Sequence, residues 1–150
     1  MKQLGSMIVA LALGVGLSIS SVVADQAAPV TPRKLVAPVR GEAKIELTSP
    51  DTKVVGNNVV TTIRVKNIST GAIAGFRVTE NWFDRSRNAV PGDVYRHPRP
   101  IGTGEVITVT LTTPRRAGMG DNRYDFAHAN GTIKTTVVKT LPAPPAKSTK

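Results

Sequence analysis

The stretch "VVTTIRVK", Val59 to Lys66, decides the fold. Val59, Thr61, Ile63 and Val65 alternate with Val60, Thr62, Arg64 and Lys66. Every second residue belongs to one face, which is the period of a strand with one side on a core and not that of a helix. The same period recurs on both sides of it. Ile107, Val109 and Leu111 alternate with Thr108, Thr110 and Thr112. Phe76, Val78, Glu80 and Trp82 line one side of another run, with Arg77, Thr79, Asn81 and Phe83 opposite. Ile45 and Leu47 begin a short strand after Glu42, and Tyr124, Phe126 and His128 share a face ahead of Asn130-Gly131. That Asn-Gly pair predicts a tight hairpin, with Thr132 to Leu141 returning as the last strand and Ile133 and Val137 inward.

Turn-forming clusters divide these runs. They are "NISTGAIAG" (Asn67 to Gly75), "DRSRNAVPGD" (Asp84 to Asp93), "IGTGE" (Ile101 to Glu105) and "PRRAGMGDNR" (Pro114 to Arg123), the longest. No window beyond the leader has helical spacing. About seven short strands with regular turns predict an all-β immunoglobulin-like β-sandwich. Its limits follow from composition. Residues 1–24 carry Lys2, an apolar run from Met7 to Leu17, and a small-residue end at Val22-Val23-Ala24, the pattern of a signal peptide cut after Ala24. As a retained anchor the segment would be at the short limit for a span, and Gly14, Gly16 and three serines interrupt it. Residues 25–41 form a proline-rich linker, 42–141 the folded module, and 142–150 a Pro/Lys tail.

The chain has no cysteine. This excludes a disulfide framework, a thiolate metal site, a cysteine nucleophile and a lipoprotein anchor. The expected location is extracytoplasmic, periplasmic or secreted, with no membrane span after cleavage. The formal charge of +10 falls by one with the leader, whose one charged residue is Lys2. Such a field favours acidic partners at low salt.

"VKNISTGAIAGFRVTENWFDRSRNAVPGD" resembles the bacterial FxLYD-type domains. Val65, Asn67 and Ser69 match the "V-x-N-x-S" strand end. Trp82-Phe83-Asp84 stand for the Leu-Tyr-Asp of the name, and Gly104-Glu105 for the later strand opener. Glu80 stands at the place of the naming Phe. The resemblance covers roughly residues 59–113 and implies an immunoglobulin-like sandwich of an extracytoplasmic bacterial protein. It carries over no catalytic residue.

Arginine supplies the candidate site. Every cation from Asn67 to Ile133 is arginine, whereas the lysines lie outside that window. A guanidinium can grip carboxylate or phosphate through two hydrogen bonds at once. Arg85 and Arg87 in one loop, Arg115 and Arg116 in another, and Arg96 and Arg99 in a strand-like run could form one anion- or partner-binding surface. The partner expected is an acidic cell-envelope polymer or protein. In "YRHPRP" (Tyr95 to Pro100) the prolines lack N–H groups, which suits an edge strand from Val94 to Ile101 that its arginines protect from pairing. The alternative role is structural, a module that pairs with a partner protein through a strand edge.

Other chemistries fit poorly. Of six aromatics four are assigned to the core, which leaves only Tyr95 and Phe83 to stack on bases, and export also argues against nucleic acid as the partner. His97 and His128 are the only histidines and have no metal-ligand spacing. No catalytic, metal or cofactor residue is assigned, and the chain reads as a non-enzyme.

Overall fold

The computed structural model describes residues 36–144. The expected leader lies outside them, as do 25–35 of the linker and 145–150 of the tail. The described chain is all-β. Its strands are β1 (Ala43–Thr48), β2 (Asp51–Val55), β3 (Asn58–Asn67), β4 (Arg77–Asp84), β5 (Ala89–Arg96), β6 (Val106–Pro114), β7 (Met119–His128) and β8 (Gly131–Val138). Among the described residues no helix is long and apolar enough to cross a membrane.

β3, the strand of the opening stretch, is the spine. Val59, Thr61, Ile63 and Val65 are buried, as their alternation requires. β6 pairs with β3 along one whole edge, from Asn58↔Pro114 to Lys66↔Val106. The other edge is shared. β1 takes its end, with Leu47 opposite Val65, and β2 takes its beginning, with Asp51 opposite Thr62. Between them lies Ser49-Pro50. Proline has no N–H for the ladder, so the strand breaks there. β1 also pairs in parallel with β8, from Ala43↔Ile133 to Thr48↔Val138. β8 joins β7 through two residue pairs only, and β7, β4 and β5 follow as antiparallel neighbours. The strand order is β2-β3-β1-β8-β7-β4-β5, with β6 on β3.

The sheet curls, so that both halves contribute to one core. Ile45, Ile63, Val65 and Leu111 come from one half, and Phe76 and Val78 from the other. Removing such side chains from water contributes about 1.5–3 kcal/mol each. Ile73 and Ile101, outside the strands, plug the same core and hydrogen-bond to each other through both backbone N–H groups at 2.9 Å.

Several local expectations change. In the last strand Ile133 packs on the core, but Val137, on the same face and opposite the buried Leu47, is 64% exposed because the core does not extend over that end of the strand. The hairpin before it closes on His128↔Gly131, so its loop is Ala129-Asn130 and not Asn130-Gly131. Gly131 is required for a different reason: a Cβ there would lie 2.0 Å from the Gly41 carbonyl oxygen. "PRRAGMGDNR" is mostly strand, since β7 begins at Met119 and pairs with β4. The expected strand Val94–Ile101 is displaced. β5 runs from Ala89 to Arg96 and takes in Pro91-Gly92, which read as a turn. Pro98 and Pro100 lie beyond it. β5 is still an edge strand, paired with β4 alone, but Pro91 is the proline it contains.

Candidate functional site

The β4 ladder fixes where the six candidate arginines stand. At one end Arg77 faces Arg96, and at the other Asp84 faces Met119. Eight residues separate these ends by about 23 Å. Arg85 and Arg87 follow Asp84, and Arg115 and Arg116 precede Met119, so these four cluster at one end. Arg96 and Arg99 belong to the opposite end. The single surface expected from sequence therefore divides in two.

Hydrogen bonds within the turns shape the first end. Asp84 accepts the Asn88 backbone N–H at 2.8 Å and the Asn88 amide at 2.9 Å. These bonds hold its carboxyl below the usual carboxylate range. Arg87 closes the same turn through a 3.0 Å bond to the Asp84 carbonyl, with a left-handed φ of 63°. Arg115 donates its backbone N–H to Asn57 of the β2–β3 turn at 2.8 Å. That bond docks the β6–β7 turn against the β2–β3 hairpin.

Between these turns opens a cleft of about 600 Å³. Val54, Val59, Trp82 and Met119 supply apolar walls, and Arg115 and Arg116 stand at its rim. No carboxylate lines it. Trp82 is 7% exposed, and its indole N–H has no hydrogen-bond partner among the described residues. A buried donor without an acceptor costs about 1–3 kcal/mol in lost hydration. The sequence marks Trp82 as inward but gives no sign that it floors a cleft at the strand end, since Phe76 is the aromatic sealed in the core. On the opposite face of β4 a second hollow of about 360 Å³ holds Arg87 and Arg123. Its walls include Asp84 and Asp121, so its charge is mixed. Arg123 there stacks over Phe83, 5.7 Å from the ring centre.

The far end is chemically different. Arg99 is bidentate on Glu105: Nη1 donates to Oε2 at 3.0 Å, and Nη2 to Oε1. Glu105 also accepts the Gly102 N–H at 2.8 Å. Arg99 is thus already engaged. Apart from Lys53–Asp51, this is the one ion pair among the described residues. Arg85, Arg87, Arg96, Arg115 and Arg116 are exposed and have no carboxylate within ion-pair distance among those residues.

His97, two residues from Arg99, bonds through Nδ1 to the Tyr95 hydroxyl at 2.8 Å. Burial lowers its pKa, the Arg99 charge lowers it further, and Glu105 opposes both. Burial raises the Glu105 pKa, but the Arg99 and Gly102 hydrogen bonds outweigh it, and the net shift is downward. A histidine lowered in this way contributes stability that is complete above its unfolded value, about 6.5, and is lost as pH falls through the folded value. Glu105 follows the same sign further down, below 4.5. Thermal melts against pH should therefore show a decline that begins near 6.5. His97→Gln should remove that upper part of the slope and leave the decline below 4.5. An unchanged upper slope would contradict this assignment.

His128 is structural. Nε2 donates to the carbonyls of Gly41 at 2.9 Å and Thr132 at 3.1 Å, and Nδ1 accepts the Asn130 N–H at 3.4 Å. Both ring nitrogens hold the last hairpin. Among the described residues no cluster of three His, Cys, Asp or Glu could hold a metal ion.

No family model matches the chain, and no curated protein matches it. Among solved structures, one described as the structural characterization of IRMA from Escherichia coli is similar over 69% of this chain and 98% of its own, at 11% identity and a TM-score of 0.40.

Proposed function

We propose that the protein is a non-catalytic binding module of immunoglobulin-like, FxLYD-related sandwich type. It works outside the cytoplasm after loss of a leader near Ala24. It holds an acidic envelope polymer or protein at the strand end that carries Arg85, Arg87, Arg115 and Arg116. The observation that carries this reading is the acid-free cleft, apolar along Val54 and Met119 and lined by two arginines that have no carboxylate within ion-pair distance among the described residues. A carboxylate or phosphate beside an apolar group would satisfy the guanidiniums and cover Val54 and Met119 together.

Charge alone can be separated from site. Arg115→Ala/Arg116→Ala and Arg96→Ala/Arg99→Ala remove the same two charges. Binding of poly-glutamate at about 0.1 M salt should weaken about ten- to a hundredfold in the first variant, on the basis of about 1.5–3 kcal/mol per charged hydrogen bond. At that salt, where the Debye length of about 10 Å is shorter than the distance between the two ends, the second should change by less than about threefold. Equal losses would mean that the positive field, and not the cleft, binds the polymer.

A second reading rests on β2. Every residue of this strand is exposed, Val54 and Val55 at 58% each, and it pairs with β3 alone. A partner strand could add to its free edge. Such binding would persist in salt that abolishes polyanion binding.

A further inference from the structure

Beyond β8 the chain leaves the sheet without regular structure, yet it is held. Leu141 is 7% exposed, and its carbonyl accepts Arg64 Nη1 at 3.0 Å. Arg64 lies on the outward face of β3, between the buried Ile63 and Val65. Leu141 therefore seats on the outside of the sheet, against Thr48, Thr62 and Arg64. Three residues later, Pro144 forms part of the wall of a groove of about 540 Å³ between β5 and β6. The chain crosses from β3, past β6, to the seam between two edge strands. Three residues of polyproline helix advance about 9 Å, close to two strand spacings of about 4.8 Å. The sequence of the run, Leu141-Pro142-Ala143-Pro144, favours that extended conformation before any contact forms.

The groove suits such a segment. Tyr95 and His97 present two rings 6.1 Å apart and tilted by 33°. β6 has a backbone ladder with β3 only; β5 lies along its other edge without a ladder and reaches it through the Asp93 carboxylate, which accepts the Thr112 N–H at 2.8 Å. His97 Nδ1 and the Tyr95 hydroxyl share a hydrogen bond, and among the described residues, Pro144 included, nothing pairs with the buried His97 Nε2. A proline-rich segment offers ring faces to aromatics and carbonyl acceptors to donors, and it has few N–H groups of its own to satisfy.

We propose that the β5–β6 groove is a recognition site for proline-rich extended segments, and that this chain's own Pro144, held by the Leu141 anchor on β3, takes part of it in cis. The strap covers part of a seam that the strand order leaves without a ladder. It competes with any proline-rich segment from outside at the high effective concentration of a short tether, on the order of millimolar.

The test uses the full chain with the strap loosened. Leu141→Asp removes the anchor, and Pro144→Gly, a milder change, is read in the same way should the first lose strand content. The probe is a peptide of residues 139–150, KTLPAPPAKSTK. Loosened chains should bind it saturably, with shifts of the Tyr95 and His97 side-chain resonances, at least about tenfold more tightly than the unaltered chain does. Tyr95→Ala in the loosened background should abolish the response. No shift at Tyr95 and His97 in either loosened chain would overturn the groove. Equal binding by the unaltered chain would overturn its occupation in cis.

Discussion

Asn67→Ala should destabilise the protein by about 3–5 kcal/mol, a large part of the roughly 5–15 kcal/mol that holds a domain together. Asn67 is fully buried at the end of β3. Its amide donates to the carbonyls of Gly71 and Ile101, both at 2.9 Å, and its side-chain oxygen accepts the Ser69 N–H at 2.8 Å. Ser69 in turn bonds both backbone groups of Lys44 on β1, at 2.8 and 3.1 Å. One amide thus fixes the crossing from β3 to β4, the approach of Ile101, and the seating of β1. Alanine would leave buried backbone groups without partners, each at about 1–3 kcal/mol. Asn67→Asp should do no better. It keeps the acceptor for Ser69 but turns a carboxyl oxygen toward two carbonyls that need a donor. Urea midpoints check both variants, and a cost below about 1 kcal/mol for either would refute this role.

That residue marks how far the sequence could be read. The "V-x-N-x-S" pattern at Val65, Asn67 and Ser69 flagged a strand end, but no spacing says that Asn67 reaches Ile101, thirty-four residues on. Alternation located β3, β4 and β6 because each has one buried face. β2 was not legible, since "DTKVV" is exposed on both faces and has no alternation to detect. Pro91-Gly92 read as a turn and is instead part of β5, beside an irregularity between Thr79 and Asn81 of β4. A Cβ on residue 92 would lie 2.4 Å from the Glu80 carbonyl oxygen, so glycine there serves close strand approach and not chain reversal. The sequence shows each arginine, but their division between two ends follows from the β4 register, which composition does not encode.

Glu80 supplies the second large effect. It is 1% exposed on the apolar face of β4 and has no cation within ion-pair distance among the described residues. Thr61 donates to one carboxyl oxygen at 3.1 Å and Thr113 to the other at 2.6 Å. The carboxyl therefore ties β4 to β3 and β6 across the core. Glu80→Ala should cost about 2–4 kcal/mol, through the cavity it leaves and the Thr113 hydroxyl it strands. Thr61 loses less, because Thr52 stays within 3.1 Å. Glu80→Gln keeps the shape. Its carbonyl accepts from one threonine and its amide donates to the other once that hydroxyl rotates. The glutamine variant should stay within about 1 kcal/mol of the unaltered chain. Equal losses for both would mean that the carboxyl group itself, and not the bridge, is required.

The protein's one tryptophan tests the proposed binding end most directly. Trp82 lines the cleft with Arg115 and Arg116, about 17 Å from the level of Arg96 by the rise along β4, and Arg99 lies beyond that end of β5. Its indole N–H resonance can be followed while poly-glutamate is added at low salt. The account predicts a saturable shift that Arg115→Ala/Arg116→Ala removes and Arg96→Ala/Arg99→Ala preserves. Tight binding with a motionless Trp82 signal would contradict it.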